Sequence, residues 1–296
     1  KNMRNPIISI VAFLMILIIC DRLGGFILRQ VLLNSKFRYS RLYAGEAGQS
    51  IIIFGNSRGV NTFYTPEIED RIGNNVVNLS YNGLPPVVEE ELIGDFFDFN
   101  QSPRMIVLEI SNVGQSTSFS FANVLKPYNI FSKMLSFFVK QTDYYEELKC
   151  SISKLYCFNN ILFFRTLYYL FQSDQNWVNL HKISPRMIKR IRNERPYAPN
   201  VFDDNLVIIK RIIALAEAES VPIRLVLGPV FPVKGGEEKI KEFVEKVEDE
   251  IGYRVWDYSY SISNPSAFAD AIHLNKKGSI LLIELLIRDG FFDPST

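Results

Sequence analysis

The chain has 296 residues, 47% of them hydrophobic and 22% charged, with a formal net charge of +1. That length can bury a sizeable core. So even a charge balance excludes the basic excess with which nucleic-acid-binding proteins neutralise phosphates, and no nucleic-acid partner is expected. Three cysteines (Cys20, Cys150 and Cys157), no CxxC pair and two histidines leave no zinc-ligand spacing.

The first element is apolar. "NPIISIVAFLMILIIC" runs uncharged from Arg4 to Asp21-Arg22. It is short for a membrane span of about 20 residues, but "LGGFIL" lengthens it if Arg22 snorkels. Lys1 and Arg4 suit the inner side, so residues 1–28 are expected to form a signal anchor, single-pass in the cell membrane, with the rest extracytoplasmic. A cleaved signal peptide would show an A-x-A-like site, and lipidation at Cys20 would need a residue smaller than Ile19 before it. A buried core helix would show polar alternation. Residues 29–49, with "SKFRYSRLYAGEAGQ", read as a polar juxtamembrane linker.

Five strand candidates follow: "SIIIFG" (50–55), "NVVNLS" (75–80), "RMIVLEIS" (104–111), "PIRLVLGPV" (222–230) and "YRVWDYS" (253–259). Continuous apolar runs of this kind suit parallel strands covered on both faces. Helical patterns alternate with them at 204–219, behind Asp203 as a possible N-cap, at 237–251 and at 276–288. Residues 50–296 are therefore expected to form one three-layer α/β domain with a mostly parallel five-stranded sheet.

Residues 116–200 break the alternation. They are too long for a crossover connection and rich in aromatics, as in "KLYCFNNILFFRTLYYLFQ". A helical cap on the domain is one reading, and a surface meeting the bilayer or an integral-membrane partner the other. Within this insertion Cys150 and Cys157, seven apart, would sit about 10 Å apart on one helix, beyond disulfide reach. The cluster Arg186, Lys189, Arg190, Arg192 and Arg195, with Glu194 inside it and Asp174 upstream, reads as a solvated helix face.

The stretch that invites chemistry is "SIIIFGNSRGVNTF" (50–63). Ser57 would fall where the first strand ends and the next helix begins, the place where ligands collect in open α/β sheets. Gly55 and Gly59 permit a sharp turn and close backbone approach. A serine there can equally be an N-cap without chemistry. A serine nucleophile needs a base, and the base an orienting group. His181 has no nearby acid. His273, in "FADAIHLNKKGS", has Asp270 three residues before it, a spacing that lets the carboxylate reach the ring Nδ1–H and frees Nε2 to accept from serine. A local helix-capping pair is the plain alternative, with Asn275 as the cap.

Gly55-Asn56-Ser57 resembles the first block of the SGNH/GDSL hydrolase superfamily, whose serine is the nucleophile. "NLSYNG" (78–83) resembles the second block and makes Gly83 the oxyanion glycine; "DAIHLNKKG" is similar to the fifth. The resemblance covers about 50–115 and 203–288 and implies a flavodoxin-like fold. It also implies a Ser57–His273–Asp270 triad and an oxyanion hole of the Ser57 and Gly83 amides with Asn112, supported by Gly55, Asn56, Arg58, Gly59 and Asn82. Two departures stand out: Asn56 replaces the usual aspartate, and "EISNVGQ" replaces Gly-x-Asn-Asp. Ser111, Asn82 or a backbone amide could take the place of Asn112.

The anchor and insertion resemble one branch of that superfamily, the alginate O-acetyltransferase and D-alanyl-lipoteichoic acid biosynthesis types. Three functions are thus expected to compete. The first is an esterase or O-acyltransferase acting on an envelope or exported glycan, working beside a membrane-bound O-acyltransferase. The second is a non-catalytic adaptor for such a partner or for the polysaccharide, and the third a lipid esterase with the insertion as lid. No cofactor or metal is expected, since Gly228-Pro229 and Gly235-Gly236 form no phosphate-binding fingerprint.

Overall fold

The computed structural model describes residues 6–116, 118–174, 177–193, 197 and 199–293. In chain order the elements begin with α1 (Pro6–Leu33), α2 (Arg38–Tyr43), β1 (Ile51–Phe54), α3 (Ser57–Thr62), α4 (Thr65–Ile72), β2 (Val76–Asn78), α5 (Pro86–Phe99) and β3 (Met105–Glu109). The insertion supplies α6 (Lys133–Thr142), α7 (Tyr144–Ile152), α8 (Ile161–Tyr168) and α9 (Pro185–Asn193). The chain closes with α10 (Asp203–Ala218), β4 (Ile223–Leu227), α11 (Gly236–Ile251), β5 (Val255–Asp257) and α12 (Lys276–Arg288).

The five strands pair in the order β2-β1-β3-β4-β5, every pair parallel. This is the flavodoxin-like order, with its switch point between β1 and β3. Side chains alternate across the sheet. Ile52, Phe54, Ile106, Leu108, Leu225 and Leu227 enter one core, packed by α5, α10, α11 and the insertion. Ile51, Ile53, Met105, Val107 and Val226 enter the other, under α4 and α12. Burial on both faces is why these strands carry hardly a polar residue.

Four expectations need correction. Residues 29–49 are not a polar linker: α1 continues to Leu33, and Phe37, Tyr39, Leu42 and Tyr43 lie in the core. Hydrophobic side chains at 37, 39, 42 and 43 bring the α2 segment down onto α5, and the charged Arg38 follows because Asp174 meets it (Nε–Oδ2 2.9 Å). Asp174 is thereby buried with Arg38 and does not belong to the surface of α9, whose Glu194 and Arg195 lie outside the described residues. Asp203 is no N-cap: Phe202 occupies that position, and Asp203 stands in the first turn, where a carboxylate still favours the helix dipole. Finally, α7 stops at Ile152, so Cys150 and Cys157 do not share a helix; the chain folds back and the Cys157 thiol donates to the Cys150 carbonyl, with both thiols free.

The insertion packs on the domain as a helical cap and leaves part of its aromatic surface exposed. Leu125, Tyr128, Leu135, Phe138, Val139, Leu162 and Phe163 are buried against the domain. Phe137, Tyr145, Ile152, Ile161, Phe164 and Phe171 remain exposed, the last at 85%. Its end returns to the domain: Asn179 N–H donates to Asn61 Oδ1, and Ile183 N–H to the Phe268 carbonyl. Exposed His181 offers only its carbonyl, to Asn275.

Candidate active site

Strand β1 ends at Phe54, and Gly55, at φ 155°, turns the chain across the end of the sheet. A β-carbon at Gly55 would come 2.9 Å from Glu109 Cβ, and one at Gly59 2.4 Å from Ser80 Oγ. The two glycines therefore let the start of α3 press between the ends of β2 and β3. Asn56 caps α3 through Oδ1, which accepts from Arg58 N–H at 2.8 Å. A neutral amide does the capping work of the aspartate it replaces.

Ser57 opens α3. Its hydroxyl lies 2.8 Å from His273 Nε2, and His273 Nδ1 lies 2.8 Å from Asp270 Oδ2. With the ring proton on Nδ1, donated to Asp270, Nε2 is free to accept from Ser57. The second Asp270 oxygen accepts from the backbone N–H groups of Ile272 and His273, each at 2.9 Å. Half-burial by itself would raise the Asp270 pKa, but the His273 ring and these two amides outweigh it and hold the carboxyl below its ordinary value. The loop is anchored behind by Asn275, which caps α12 through Gly278 N–H and donates to the Ser266, Phe268 and His181 carbonyls.

The expected oxyanion donors divide. Neither Ser57 N–H nor Gly83 N–H donates to any acceptor among the described residues. Gly83 and Asn82 are exposed on the turn after β2. Asn112, in contrast, is sealed: it has no exposed surface and both its side-chain polar atoms are buried without a hydrogen bond. The cause is local. Glu109 accepts from Ser111 N–H and Oγ and folds 110–114 into a tight turn. Asn112 then lies inward beside Glu89 of α5. Burial pushes the Glu89 carboxyl up to about 8; the Asn112 amide offsets part of that rise without meeting hydrogen-bond geometry, and the Glu109 charge adds to it.

One feature of the site was not foreseen. Arg58, read only as turn support, is 2% exposed and forms a buried ion pair with Glu109 (Nε–Oε1 3.1 Å). Its other guanidinium nitrogens donate to the Ile272 carbonyl at 3.2 Å and to the Gly228 carbonyl. Thus one side chain, next to the serine, ties together the ends of β3 and β4 and the loop bearing His273. The clue in the sequence was a carboxylate closing the apolar run "RMIVLE", since a buried charge requires a partner.

No protein-family model matches the chain, and no curated protein matches it. Among solved structures it is similar to a Bacteroides fragilis protein provisionally described as an acylhydrolase, at 12% identity and TM-score 0.42, over 83% of this chain and 88% of that one. A second, from Streptococcus pneumonia and provisionally described as a platelet activating factor, gives 12% and 0.44, over 97% and 99%. A GDSL-like lipase of Bacteroides thetaiotaomicron gives 12% and 0.37, over 81% and 87%. Likenesses this remote decide nothing about chemistry. What the chain's own structure shows is an α/β domain with a parallel five-stranded sheet in flavodoxin-like order, and a serine, a histidine and an aspartate in hydrogen-bonded sequence at the carboxyl end of that sheet.

Proposed function

We propose that this chain is a membrane-anchored serine esterase or O-acyltransferase, acting outside the cytoplasm on acyl esters of an envelope or exported glycan. The observation that carries the reading is the unbroken relay from Asp270 through His273 to Ser57, each contact at 2.8 Å. Ser57 Oγ attacks the ester carbonyl while His273 Nε2 takes its proton. The oxyanion is received by the Ser57 and Gly83 N–H groups, which meet no other acceptor among the described residues. His273 then protonates the departing alcohol, leaving an acyl-Ser57. Water as the second acceptor gives hydrolysis, and a sugar hydroxyl gives transfer. The anchor is α1, apolar and long enough to cross a bilayer.

A fluorophosphonate probe tests the serine. Labelling of the parent that disappears in Ser57→Ala is expected; labelling that persists in that variant removes Ser57 from the mechanism. Preference for para-nitrophenyl acetate supports the glycan reading, and preference for long-chain esters the lipid esterase. Acetyl release compared with transfer to an oligosaccharide separates the two reactions.

A second reading draws on the sealed Asn112 and the exposed aromatic face of the insertion. In it the domain is a non-catalytic adaptor that docks a membrane-bound O-acyltransferase. A parent that takes no probe, with or without that partner, is the outcome it predicts.

A further inference from the structure

Outside the triad, the last turns of α1 pack against the insertion. The uncharged start of α1, residues 6–20, spans about 23 Å, less than the roughly 30 Å of bilayer hydrocarbon. The next outward residues of α1, Leu23, Phe26 and Ile27, are again apolar and more than half exposed. Embedding them brings the span to about 33 Å but takes Asp21 and Arg22 in with it. The insertion meets that cost. Asp21 accepts from Ser153 Oγ at 2.5 Å and from the Lys154 and Leu155 N–H groups at 2.8 and 3.2 Å, while Arg22 donates to the Ile152 carbonyl. Segment 152–155 therefore enters at the depth of the headgroups, with Ile152 and Leu155 exposed beside the helix.

At that level α1 and the insertion enclose a cleft of about 340 Å³, lined by Gly25, Phe26, Arg29, Ile130, Lys154 and Phe158. Gly25 makes the junction possible, since a β-carbon there would stand 2.5 Å from Lys154 Cβ. The walls are apolar and the rim carries two cations. Arg29 lies over the Phe131 ring at 5.0 Å, and neither its guanidinium nor the Lys154 ammonium meets an acidic side chain among the described residues. Asp21, whose carboxylate accepts from the Lys154 backbone N–H, is already held by Arg22 and the 153–155 segment.

We infer that this cleft binds an anionic phospholipid. Its phosphate lies between Arg29 and Lys154, its glycerol and first acyl carbons lie on Phe26, Ile130 and Phe158, and the remaining chain runs along α1 in the bilayer. Unpaired cations at the outer boundary of an apolar wall suit this chemistry: an uncharged glycan or a neutral lipid lacks the anion, and an anionic glycan lacks the acyl chains that the apolar wall receives. The inference rests on α1 being a membrane helix and not on the chemistry at Ser57.

Native mass spectrometry of the detergent-solubilised full chain, offered equimolar phosphatidylglycerol and phosphatidylcholine, tests it. The parent is expected to favour phosphatidylglycerol about thirtyfold, as two surface cations warrant. Arg29→Gln/Lys154→Gln should lower that preference to about one, whereas Arg29→Lys/Lys154→Arg and a control on α9, Arg186→Gln/Lys189→Gln, should retain it. Equal binding of the two lipids by the parent overturns the proposal, as does a preference that survives in the glutamine pair or vanishes in the α9 control. Displacement of the lipid by millimolar inorganic phosphate would reassign the cleft to a free anion. Fluorophosphonate labelling and carbonate-resistant membrane association, run in parallel, report separately on Ser57 and on α1.

Discussion

Arg58 and Glu109 show how a single pair can decide whether a site works. Both are almost wholly buried, and removing one partner leaves the other charged and unpaired, a loss of about 3–5 kcal/mol by analogy with other buried pairs. Arg58→Met is therefore expected to lower the urea midpoint sharply, and Arg58→Met/Glu109→Leu to lower it less. Arg58→Lys keeps the charge but not the fork that reaches Gly228 and Ile272 together, so it should retain most stability while slowing probe labelling of Ser57. Asp270→Asn leaves the loop's shape but favours the wrong histidine tautomer. A fall of roughly 10³–10⁴ in kcat, with KM little changed, is expected if the triad is the machinery.

Two helices set the site from outside it. Helix α12 begins at Asn275, whose amide holds four backbone partners around the His273 loop. Asn275→Ala should cost at least the ~1 kcal/mol of a lost cap, read as a lower Tm, and should slow labelling as well. Helix α5 faces the sealed Asn112 and carries three carboxyls raised chiefly by burial: Glu89 to about 8, Glu91 to about 7 and Asp95 to about 6. The sign follows from proton counting. A carboxyl raised by folding binds more protons folded than unfolded, so stability is greatest below the ordinary carboxylate pKa and declines as pH rises through the folded value. The parent should therefore lose stability between about pH 4.5 and 8, and Glu89→Gln should flatten that decline, as denaturant titrations at pH 5 and pH 8.5 would reveal.

For the whole molecule, α1 is the one described helix long and apolar enough to cross a membrane. Its apolar side chains from Ile7 to Ile19 are about half exposed or more, while its last turns are fastened to the insertion. Exposure on that scale excludes a core helix. The full chain is expected to stay with membranes through alkaline carbonate washing, and Ile10→Asp/Ile18→Asp to release it without loss of probe labelling. Because the insertion grips α1 and also returns to Asn61 and Phe268, α1 and the Ser57–His273–Asp270 cluster share one packed framework.

Much of this was legible in residue order. Continuous apolar runs for strands buried on both faces, helical stripes between them, glycines around Ser57 and the three-residue spacing of Asp270 and His273 are all local in the chain, and they pointed to the sheet, the turn and the histidine–aspartate pair. The apolar α1 announced itself in the same way. Other features depend on partners distant in the chain. Phe37 to Tyr43 looked like a linker because its polar neighbours mask the hydrophobes that α5 receives. Asn112 looked like an oxyanion donor until the Glu109 turn placed it inside. Arg58 looked like support for its own turn until folding brought Glu109, Gly228 and Ile272 around it. A sequence specifies which groups must be buried or satisfied; only the tertiary structure decides which distant group satisfies them, because that pairing is made across the sheet and not along the chain.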